Sequence, residues 1–349
     1  MPWAIAIKKI DGKPGQVYYP LEKITVPEPV PKGKEAVIAL TAAALNHRDL
    51  FIRQHLYPGT TFGVPLLADG VGIVTHGSPQ WLGKRVVVNP GTGWESAPNG
   101  PEDPKGYAIL GGTTANPAGT LADVVVLPER ELELCPAHLS DAEAAALPLT
   151  GLTAWRALHV KSGNAVPGRS ILVTGIGGGV ALMALLLGVA AGCHVYVTSR
   201  DQAKIDKAVA LGAKGGVVYT DKDWDKKLLA ILPSDKRYLD AIIDGAGGDV
   251  PGGIISVYGM TLGPKMDFSM AAVLRNIEVR GSTMGSRKEF ADMVQFVRDT
   301  RLRPVVSRSV HGLDVAKVDA LFDEMKRGAQ FGKLVVTLDG PKVAAATKL

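Results

Sequence analysis

The chain has 349 residues, a formal net charge of +5 and two cysteines, Cys135 and Cys193. Its length suggests two domains or one large one. Its 46% hydrophobic and 21% charged residues can form a sizeable core, which excludes wholesale disorder. Two cysteines exclude a disulfide scaffold and a four-cysteine zinc site, and the absence of a run of five basic residues argues against nucleic-acid or membrane-surface partners.

The first third of the sequence is typical of short strands joined by irregular segments. Its apolar runs are interrupted by glycine and proline, which predicts the strands of a barrel-like domain. These runs are residues 36–45, 70–76, 85–89 and 122–127. Between them, the glycine- and proline-rich segment 89–119 predicts a long loop of the kind that is often functional.

The middle of the chain changes to apolar strands that alternate with helices. The predicted strands are residues 170–175, 194–199, 216–219, 240–244, 254–258 and 277–281. The predicted helices between them are residues 179–191, 201–211 and 222–232. Continuous apolar strands alternating with helices predict a parallel sheet covered on both faces. Amphipathic helices at 288–298 and 314–327 and a strand at 333–338 complete the chain.

A glycine cluster, Gly175 to Gly179, lies between the first strand of this middle region and its helix. Glycines permit a tight turn and a close approach of the backbone, and the N-terminus of a helix offers free N–H groups to a pyrophosphate. The alternative is a plain strand–helix turn. We favour dinucleotide binding, because several adjacent glycines lower the intrinsic stability of the folded chain, and pyrophosphate binding would explain why they are present. The predicted contacts are Gly177, Gly178, Gly179 and Val180.

The end of the second strand of this region indicates which dinucleotide is bound. An acidic residue there would bind the ribose hydroxyls of NAD, but the chain has Ser199 and Arg200, followed one turn later by Lys204. Cationic groups suit a 2′-phosphate, so we expect NADP(H). Arg200 and Lys204 could instead be ordinary surface charges, and we expect Asp201 to cap the following helix.

Several motifs along nearly the whole chain resemble the medium-chain dehydrogenase/reductase superfamily, specifically its zinc-free quinone oxidoreductase branch. They are Ala44 to Asp49, Gly70 to Val74, Ala144 to Trp155, Val173 to Ala181, Leu211 to Ala213 with Tyr219, and Phe331 to Lys333. The resemblance implies an α/β protein, with a GroES-like β-barrel substrate domain formed by residues 1–149 and 287–349. A Rossmann domain with a doubly wound parallel sheet, residues 150–286, would be inserted between these segments, with the cofactor in the cleft. It also implies a homodimer.

The same resemblance implies roles for individual residues. Asn46 and Thr153 would face the nicotinamide, with Val257, Tyr258 and Gly259 beside it. Ser199, Lys204 and Tyr219 would hold the 2′-phosphate, and Gly332 and Lys333 would also contact the cofactor. Phe51 and Tyr57 would line the substrate pocket. Trp94 is a further candidate there, from the 89–119 loop, which is unusual for this branch. Asn46 and Tyr57 are the candidate catalytic residues, Tyr57 as a proton donor. Tyr219, Phe51 and Tyr57 could instead be packing residues.

The residue types at the positions of the catalytic metal ligands predict that no metal is bound. Zinc-dependent relatives require a Cys, His and Cys or carboxylate set, whereas Asn46 and Asp69 stand at the first two of these positions. Without a Lewis acid, alcohol oxidation is disfavoured, and reduction of a quinone or an α,β-unsaturated carbonyl fits better.

Two other functions remain open from the sequence. One is a non-catalytic NADPH-binding protein, similar to lens crystallins or to RNA-binding relatives, and the other is an enoyl reductase in a biosynthetic pathway. We expect a cytoplasmic protein with no membrane segment. The C-terminal Thr347-Lys348-Leu349 differs by one residue from the Ser-Lys-Leu peroxisomal address, which keeps peroxisomal import as an alternative.

Overall fold

A computed structural model describes residues 1–245, 254–259, 270–274 and 276–341, so the C-terminal Thr347-Lys348-Leu349 lies outside the described residues. The chain divides into two compact units. Unit 1 consists of Met1–Leu149, Ser286–Arg298 and the chain from Val305 onward, and unit 2 consists of Thr150–Gly285 and Asp299–Pro304. The sequence placed the limits at 149/150 and 286/287, and it did not separate residues 299–304 from the final segment.

The strands and helices follow the predicted order. The strands are β1 Trp3–Ile7, β2 Leu21–Thr25, β3 Glu35–Ala44, β4 Asp69–His76, β5 Arg85–Val88, β6 Gly91–Thr92, β7 Ala108–Ile109, β8 Val124–Pro128, β9 Leu132–Leu134, β10 Ser170–Val173, β11 His194–Ser199, β12 Gly215–Val218, β13 Ala241–Asp244, β14 Ile254–Val257, β15 Glu278–Gly281, β16 Val306–His311 and β17 Lys333–Thr337. The α-helices are α1 His47–Arg53, α2 Asp141–Ala145, α3 Pro148–Trp155, α4 Gly179–Ala190, α5 Gln202–Ala210, α6 Trp224–Ile231, α7 Met270–Leu274, α8 Arg287–Thr300 and α9 Val315–Arg327. A 3₁₀ turn, Glu129–Glu131, precedes β9, and a π-helical turn, Arg156–Lys161, extends α3.

The main sheet of unit 1 is built around the ten-residue strand β3. The strand order is β16-β17-β3-β4-β5-β9, and β8 also pairs with β3. Every pairing is antiparallel except that of β16 with β17. Gly72 in β4 permits the close approach to β3, because a Cβ at this position would lie 2.2 Å from the carbonyl oxygen of Ala39. The sheet thereby places the first residues of β4 and β17 beside the end of β3.

Unit 2 contains a six-stranded parallel sheet with the order β12-β11-β10-β13-β14-β15. Numbered within the unit, this is the order 3-2-1-4-5-6 of dinucleotide-binding folds. The order reverses between β10 and β13, and ligands bind such sheets outside the carboxyl ends of the strands at this reversal. The sheet therefore positions the glycine cluster, which follows β10, at the expected binding edge.

Every strand and helix that the sequence predicted is present, with ends within two residues of the prediction. The sequence did not predict the antiparallel pair β1 and β2, the short strands β6, β7 and β9, the strand β16, or the helices α1, α2, α3 and α7. Helix α1 has only seven residues, which is too short for an apolar periodicity to be recognised. No helix among the described residues has both the length and the apolar character needed to cross a membrane.

Candidate active site

Asn46 stands at the N-cap of α1, directly after β3. Its backbone is extended, with φ −129° and ψ 161°, and its backbone N–H donates to Asp49 Oδ2 at 2.8 Å. Asparagine is a favoured N-cap residue, and an acidic residue in the first turn suits the positive end of the helix. Asn46 is buried, so these contacts fix its backbone and leave its amide facing the side chains of the neighbouring strands.

The side chains that surround the Asn46 amide come from two other strands of the same sheet. Asp69 is the first residue of β4 and pairs with Ala44 of β3, while Lys333 is the first residue of β17, which pairs with the same end of β3. Lys333 Nζ donates to Asn46 Oδ1, to Asp69 Oδ2 at 2.8 Å and to the Leu45 carbonyl at 2.7 Å. Asn46 Nδ2 donates to Asp69 Oδ2 at 2.9 Å. We call Asn46, Asp69 and Lys333 the amide cluster.

The neighbours of the amide cluster are charged as well. Burial raises the pKa of Asp49 to about 6, against the lowering effects of Arg48, the backbone N–H of Asn46 and Lys333. Arg48 contacts Asp49 at 3.2 Å and donates to the carbonyl oxygens of Leu110 and Gly111. Because Leu110 and Gly111 belong to the predicted long loop, Arg48 ties that loop to α1.

The structure separates the three predicted substrate residues. Tyr57 is partly exposed, with the Arg48 guanidinium 4.7 Å from its ring centre, and Phe51 is partly exposed with its ring against His47. Trp94 is 3% exposed, its Nε1–H donates to the Ala97 carbonyl at 2.8 Å, and its ring packs edge-on against Tyr107. These contacts place Trp94 in the core of its own loop, and its place in the substrate pocket stays a prediction. Tyr57 and Phe51 keep exposed area for a ligand.

The two predicted cofactor residues near the C-terminus, Gly332 and Lys333, both contact other residues of unit 1. Gly332 has φ +122°, and a Cβ there would lie 2.6 Å from the Val305 carbonyl oxygen, so only glycine fits this approach. Lys333 is 5% exposed, and its ammonium has three acceptors inside unit 1. The structure therefore gives Lys333 a role inside the amide cluster, and its contact with the cofactor stays a prediction.

The glycine cluster of unit 2 forms a tight turn between β10 and α4. Gly175 has φ +62° and Gly177 has φ +125°, conformations that favour glycine. Gly178 is the N-cap of α4, and a Cβ added to it would meet no atom within 4 Å. The turn therefore leaves space above the first N–H groups of α4, which have no partners within the helix. Gly179 and Val180 are the first residues of this helix. This backbone fits the pyrophosphate of a dinucleotide.

The predicted 2′-phosphate residues lie at the ends of β11 and β12. Ser199 is the last residue of β11, and its carbonyl accepts from the Tyr219 backbone N–H at 3.0 Å. Arg200 is exposed, and Lys204 is partly buried with its side chain against Gly177. Burial lowers the pKa of Lys204, with a further lowering from Arg200 and an opposing effect of Asp201. Asp201 caps α5 by accepting from the Ala203 N–H, as the sequence predicted.

Three of the predicted nicotinamide contacts of unit 2 lie at the carboxyl end of β14, and the fourth, Thr153, lies in α3. Tyr258 follows β14, and its ring covers Gly245, where an added Cβ would lie 2.3 Å from the ring. Val257 ends β14 and Gly259 follows Tyr258, while the Thr153 hydroxyl is 3.6 Å from Met284 Sδ. The sequence did not single out Thr174, which directly follows β10, and Asp244, which ends β13. The Thr174 hydroxyl donates a hydrogen bond of 2.5 Å to Asp244 Oδ1.

Two protein-family models match this chain. The family described as alcohol dehydrogenase GroES-like domain matches residues 32–137, and the family described as zinc-binding dehydrogenase matches residues 179–299. These matches confirm the predicted fold class, a GroES-like domain with a Rossmann-like parallel sheet.

Individual proteins are similar over nearly the whole chain. The "zinc-type alcohol dehydrogenase-like protein YogA" of Leptosphaeria maculans is 50% identical over 97% of this chain and 100% of its own length. A crystal structure named "NAD-dependent alcohol dehydrogenase" is 32% identical with a TM-score of 0.82, covering 97% of this chain and 99% of that one. The "acryloyl-coenzyme A reductase" of Metallosphaera sedula is 23% identical over 89% of this chain and 95% of its own length.

The family descriptions imply a zinc ion, and the amide cluster does not fit one. Catalytic zinc is held by three protein ligands drawn from thiolate, imidazole and carboxylate groups. The cluster offers one carboxylate and one neutral amide, and the Lys333 ammonium already occupies the space between them. A divalent cation at that point would be repelled by the ammonium. No group of three or more His, Cys, Asp or Glu side chains that could hold a metal occurs in the part of the chain that the structure describes.

Proposed function

Because the chain belongs to the medium-chain dehydrogenase/reductase superfamily and is an oxidoreductase of that type, we propose that it is an NADPH-dependent, zinc-independent reductase. Its proposed substrates are quinones or α,β-unsaturated carbonyl compounds. The observation that carries this proposal is the ammonium of Lys333 between Asn46 and Asp69. These are the positions that the resemblance to the superfamily gives to the first two ligands of a catalytic metal.

Zinc independence directs the choice of substrate. Oxidation of an alcohol in this superfamily uses a Lewis acid to stabilise the alkoxide, and the amide cluster provides none. Reduction of a conjugated acceptor requires only a hydrogen-bond donor at the oxygen where charge develops. The similarity to an acryloyl-coenzyme A reductase supports this class of substrate.

The side chains supply binding, orientation and a proton. A bound nicotinamide cofactor supplies the hydride. We propose that the Asn46 amide donates a hydrogen bond at the reacting end of the site, and that Tyr57 is the proton donor. The Arg48 guanidinium over the Tyr57 ring holds that side chain in place. The acceptor thus gains one hydride and one proton.

We propose a preference for NADPH because of the residue types at and after the end of β11. An NAD-specific site would place a carboxylate there to bind the ribose hydroxyls, but the acid that follows Arg200, Asp201, is used as the cap of α5. Ser199, Arg200 and Lys204 present a hydroxyl and two cations instead. The similar crystal structure is named as NAD-dependent, so the two cofactors must be compared directly on this protein.

The function can be tested with purified protein in a single set of assays. NADPH or NADH is mixed with a panel of quinones, enones and enoyl thioesters, and the oxidised cofactors are mixed with a panel of alcohols, while nicotinamide absorbance is followed. We expect NADPH-dependent turnover of conjugated acceptors that persists after treatment with a zinc chelator. Alcohol oxidation that is abolished by the chelator would contradict the proposal. Tight NADPH binding with no turnover on any panel would favour the non-catalytic function.

A further inference from the structure

The geometry points to Lys333 as a positioning residue that holds the Asn46 amide in one orientation, so that an ion pair organises the site where the family descriptions imply a metal. Lys333 and Asp69 form this ion pair at 2.8 Å. This inference rests on the proposed function, which it deepens by assigning the residue that prepares Asn46 for the acceptor.

The ion pair is fully enclosed in unit 1. Lys333 is 5% exposed and Asp69 is 0% exposed. All three hydrogens of the ammonium have acceptors, namely Leu45 O, Asn46 Oδ1 and Asp69 Oδ2. The other carboxylate oxygen, Asp69 Oδ1, accepts from the Leu149 backbone N–H at 2.7 Å. A buried pair of charges is tolerated when its remaining donors and acceptors are satisfied in this way.

The chemistry of the two charged groups leaves the Asn46 amide only one orientation. A lysine ammonium only donates hydrogen bonds, and an ionised carboxylate only accepts them. Lys333 must therefore face Oδ1 of Asn46, and Asp69 must face Nδ2, as the contacts show. Turning the amide over would place a donor against the ammonium and an acceptor against the carboxylate. Each contact would then be lost at a buried position, where unpaired polar groups are costly.

This orientation determines what Asn46 can offer to a ligand. One Nδ2 hydrogen is donated to Asp69, and the second has no acceptor among the described residues. Asn46 is therefore held as a donor toward a carbonyl oxygen, and its own oxygen is already bound to Lys333. The ammonium has no hydrogen left for a substrate, so Lys333 acts through Asn46 and does not itself transfer a proton.

Three variants test this assignment. Lys333→Met removes the cation but leaves the Asp69 carboxylate buried without its partner, which is expected to destabilise unit 1. The double variant Lys333→Met, Asp69→Asn removes both charges, so we expect folding to be retained while the amide loses the two charged contacts that set its orientation. Arg53→Met is the matched control, because Arg53 is also a buried cation of unit 1 paired with an aspartate, Asp319, but lies outside the amide cluster.

The kinetic measurement is single-turnover hydride transfer with NADPH and with NADPH deuterated at the transferred position. In the double variant we expect the rate to fall about tenfold to a hundredfold, the range found when residues that orient an active-site group are lost. The isotope effect on turnover should increase, and the dissociation constant of NADPH should stay within about twofold. The control should lose thermal stability without a change in the rate.

A second measurement does not depend on activity. The side-chain amide resonances of Asn46 are identified in a ¹⁵N spectrum by their loss in Asn46→Asp, and their exchange with water is measured. We expect slow exchange in the parent protein and fast exchange in the double variant. The inference is overturned if the double variant shows unchanged amide exchange and an unchanged hydride-transfer rate. It is also overturned if the parent protein contains one zinc ion per chain and removal of that zinc abolishes turnover. A parent protein without turnover would overturn only the proposed function, because the exchange measurement still tests Lys333.

Discussion

The side chain of Lys204 lies directly over the backbone of Gly177. A Cβ added to Gly177 would come within 3.0 Å of Lys204 Cδ and within 3.4 Å of Nζ. The lysine at the start of α5 is thereby brought against the turn that precedes α4, although the two residues are on different βα segments. The ammonium also interacts electrostatically with Arg200 and Asp201, which follow β11, where we propose that the 2′-phosphate binds. This position underlies the first prediction.

Lys204→Ala is expected to weaken NADPH binding selectively. A hydrogen bond to a charged group contributes roughly 1.5–3 kcal/mol, so its loss should raise the dissociation constant of NADPH about tenfold or more. The constant for NADH should change much less, since NADH has no 2′-phosphate. Titration of both cofactors by fluorescence provides the measurement. Lys207→Ala, an exposed lysine of the same helix, is the control, and equal affinities of the parent protein for both cofactors would contradict the prediction.

Gly178→Ala is expected to weaken cofactor binding without affecting stability. The backbone of Gly178 has φ −77°, which alanine adopts freely, and an added methyl would meet no atom of the protein within 4 Å. The methyl would instead occupy the space that a pyrophosphate needs above the N-terminus of α4. Thermal unfolding without ligand should match the parent protein, while the dissociation constants of both NADPH and NADH should rise about tenfold.

The control for this variant is Gly281→Ala at the end of β15. Gly281 also has no atom within 4 Å of an added Cβ, but it is outside the glycine cluster. We expect that Gly281→Ala changes neither stability nor cofactor affinity. If Gly178→Ala binds both cofactors as tightly as the parent protein, the glycine cluster is a plain strand–helix turn.

Asp49 makes the stability of unit 1 depend on pH. Its carboxyl is fully buried, and burial raises its pKa from 3.8 to about 6. The folded protein therefore holds this proton more tightly than the unfolded chain does. The stabilisation is fully present below pH 3.8 and is lost as the pH rises through about 6.

Asp49→Asn should flatten this dependence, because an amide oxygen can still accept from the Asn46 N–H and carries no charge. The free energy of unfolding in urea, measured across this pH interval, should fall less steeply with rising pH than in the parent protein. Asp11→Asn, in the exposed segment after β1, should leave the slope unchanged. A slope in Asp49→Asn equal to that of the parent protein would show that Asp49 is not the titrating group.

Glu102 organises the exposed end of the long loop. Its carboxylate accepts from the backbone N–H groups of Ser96, Ala97 and Glu95, which lowers its pKa from 4.5 to about 2. A depressed pKa means that the contribution to loop order is present above pH 4.5 and is lost as the pH falls toward about 2.

Glu102→Ala should therefore loosen residues 95–102 at neutral pH. Hydrogen exchange of the three N–H groups should become faster, while exchange in the strands of unit 1 stays as in the parent protein. Asp103→Asn is the comparison variant, because the Asp103 carboxylate accepts from one loop N–H among the described residues, that of Lys105. Exchange in Glu102→Ala that is no faster than in Asp103→Asn would argue against this role.

Local patterns allowed much of unit 2 to be predicted. The alternation of apolar strands and helices, the glycines at 175–179 and the cap at Asp201 are all properties of neighbouring residues. Their structural consequences, a parallel sheet, a tight turn and a capped helix, depend on backbone geometry within a few positions. Tyr258 was singled out from the superfamily resemblance, but its position over Gly245 depends on two strands meeting side by side.

The sequence by itself determined the fold class, the limits of most of the longer strands and helices, and the residue types that make zinc ligation unfavourable. Only the tertiary structure decided that Asn46, Asp69 and Lys333 contact one another, since the pairing of β4 and β17 with β3 brings together residues that are 23 and 287 positions from Asn46. It also decided that Trp94 is internal to its loop. The reason is physical: hydrogen bonds between side chains depend on strand register to within an ångström, and register is set by long-range pairing.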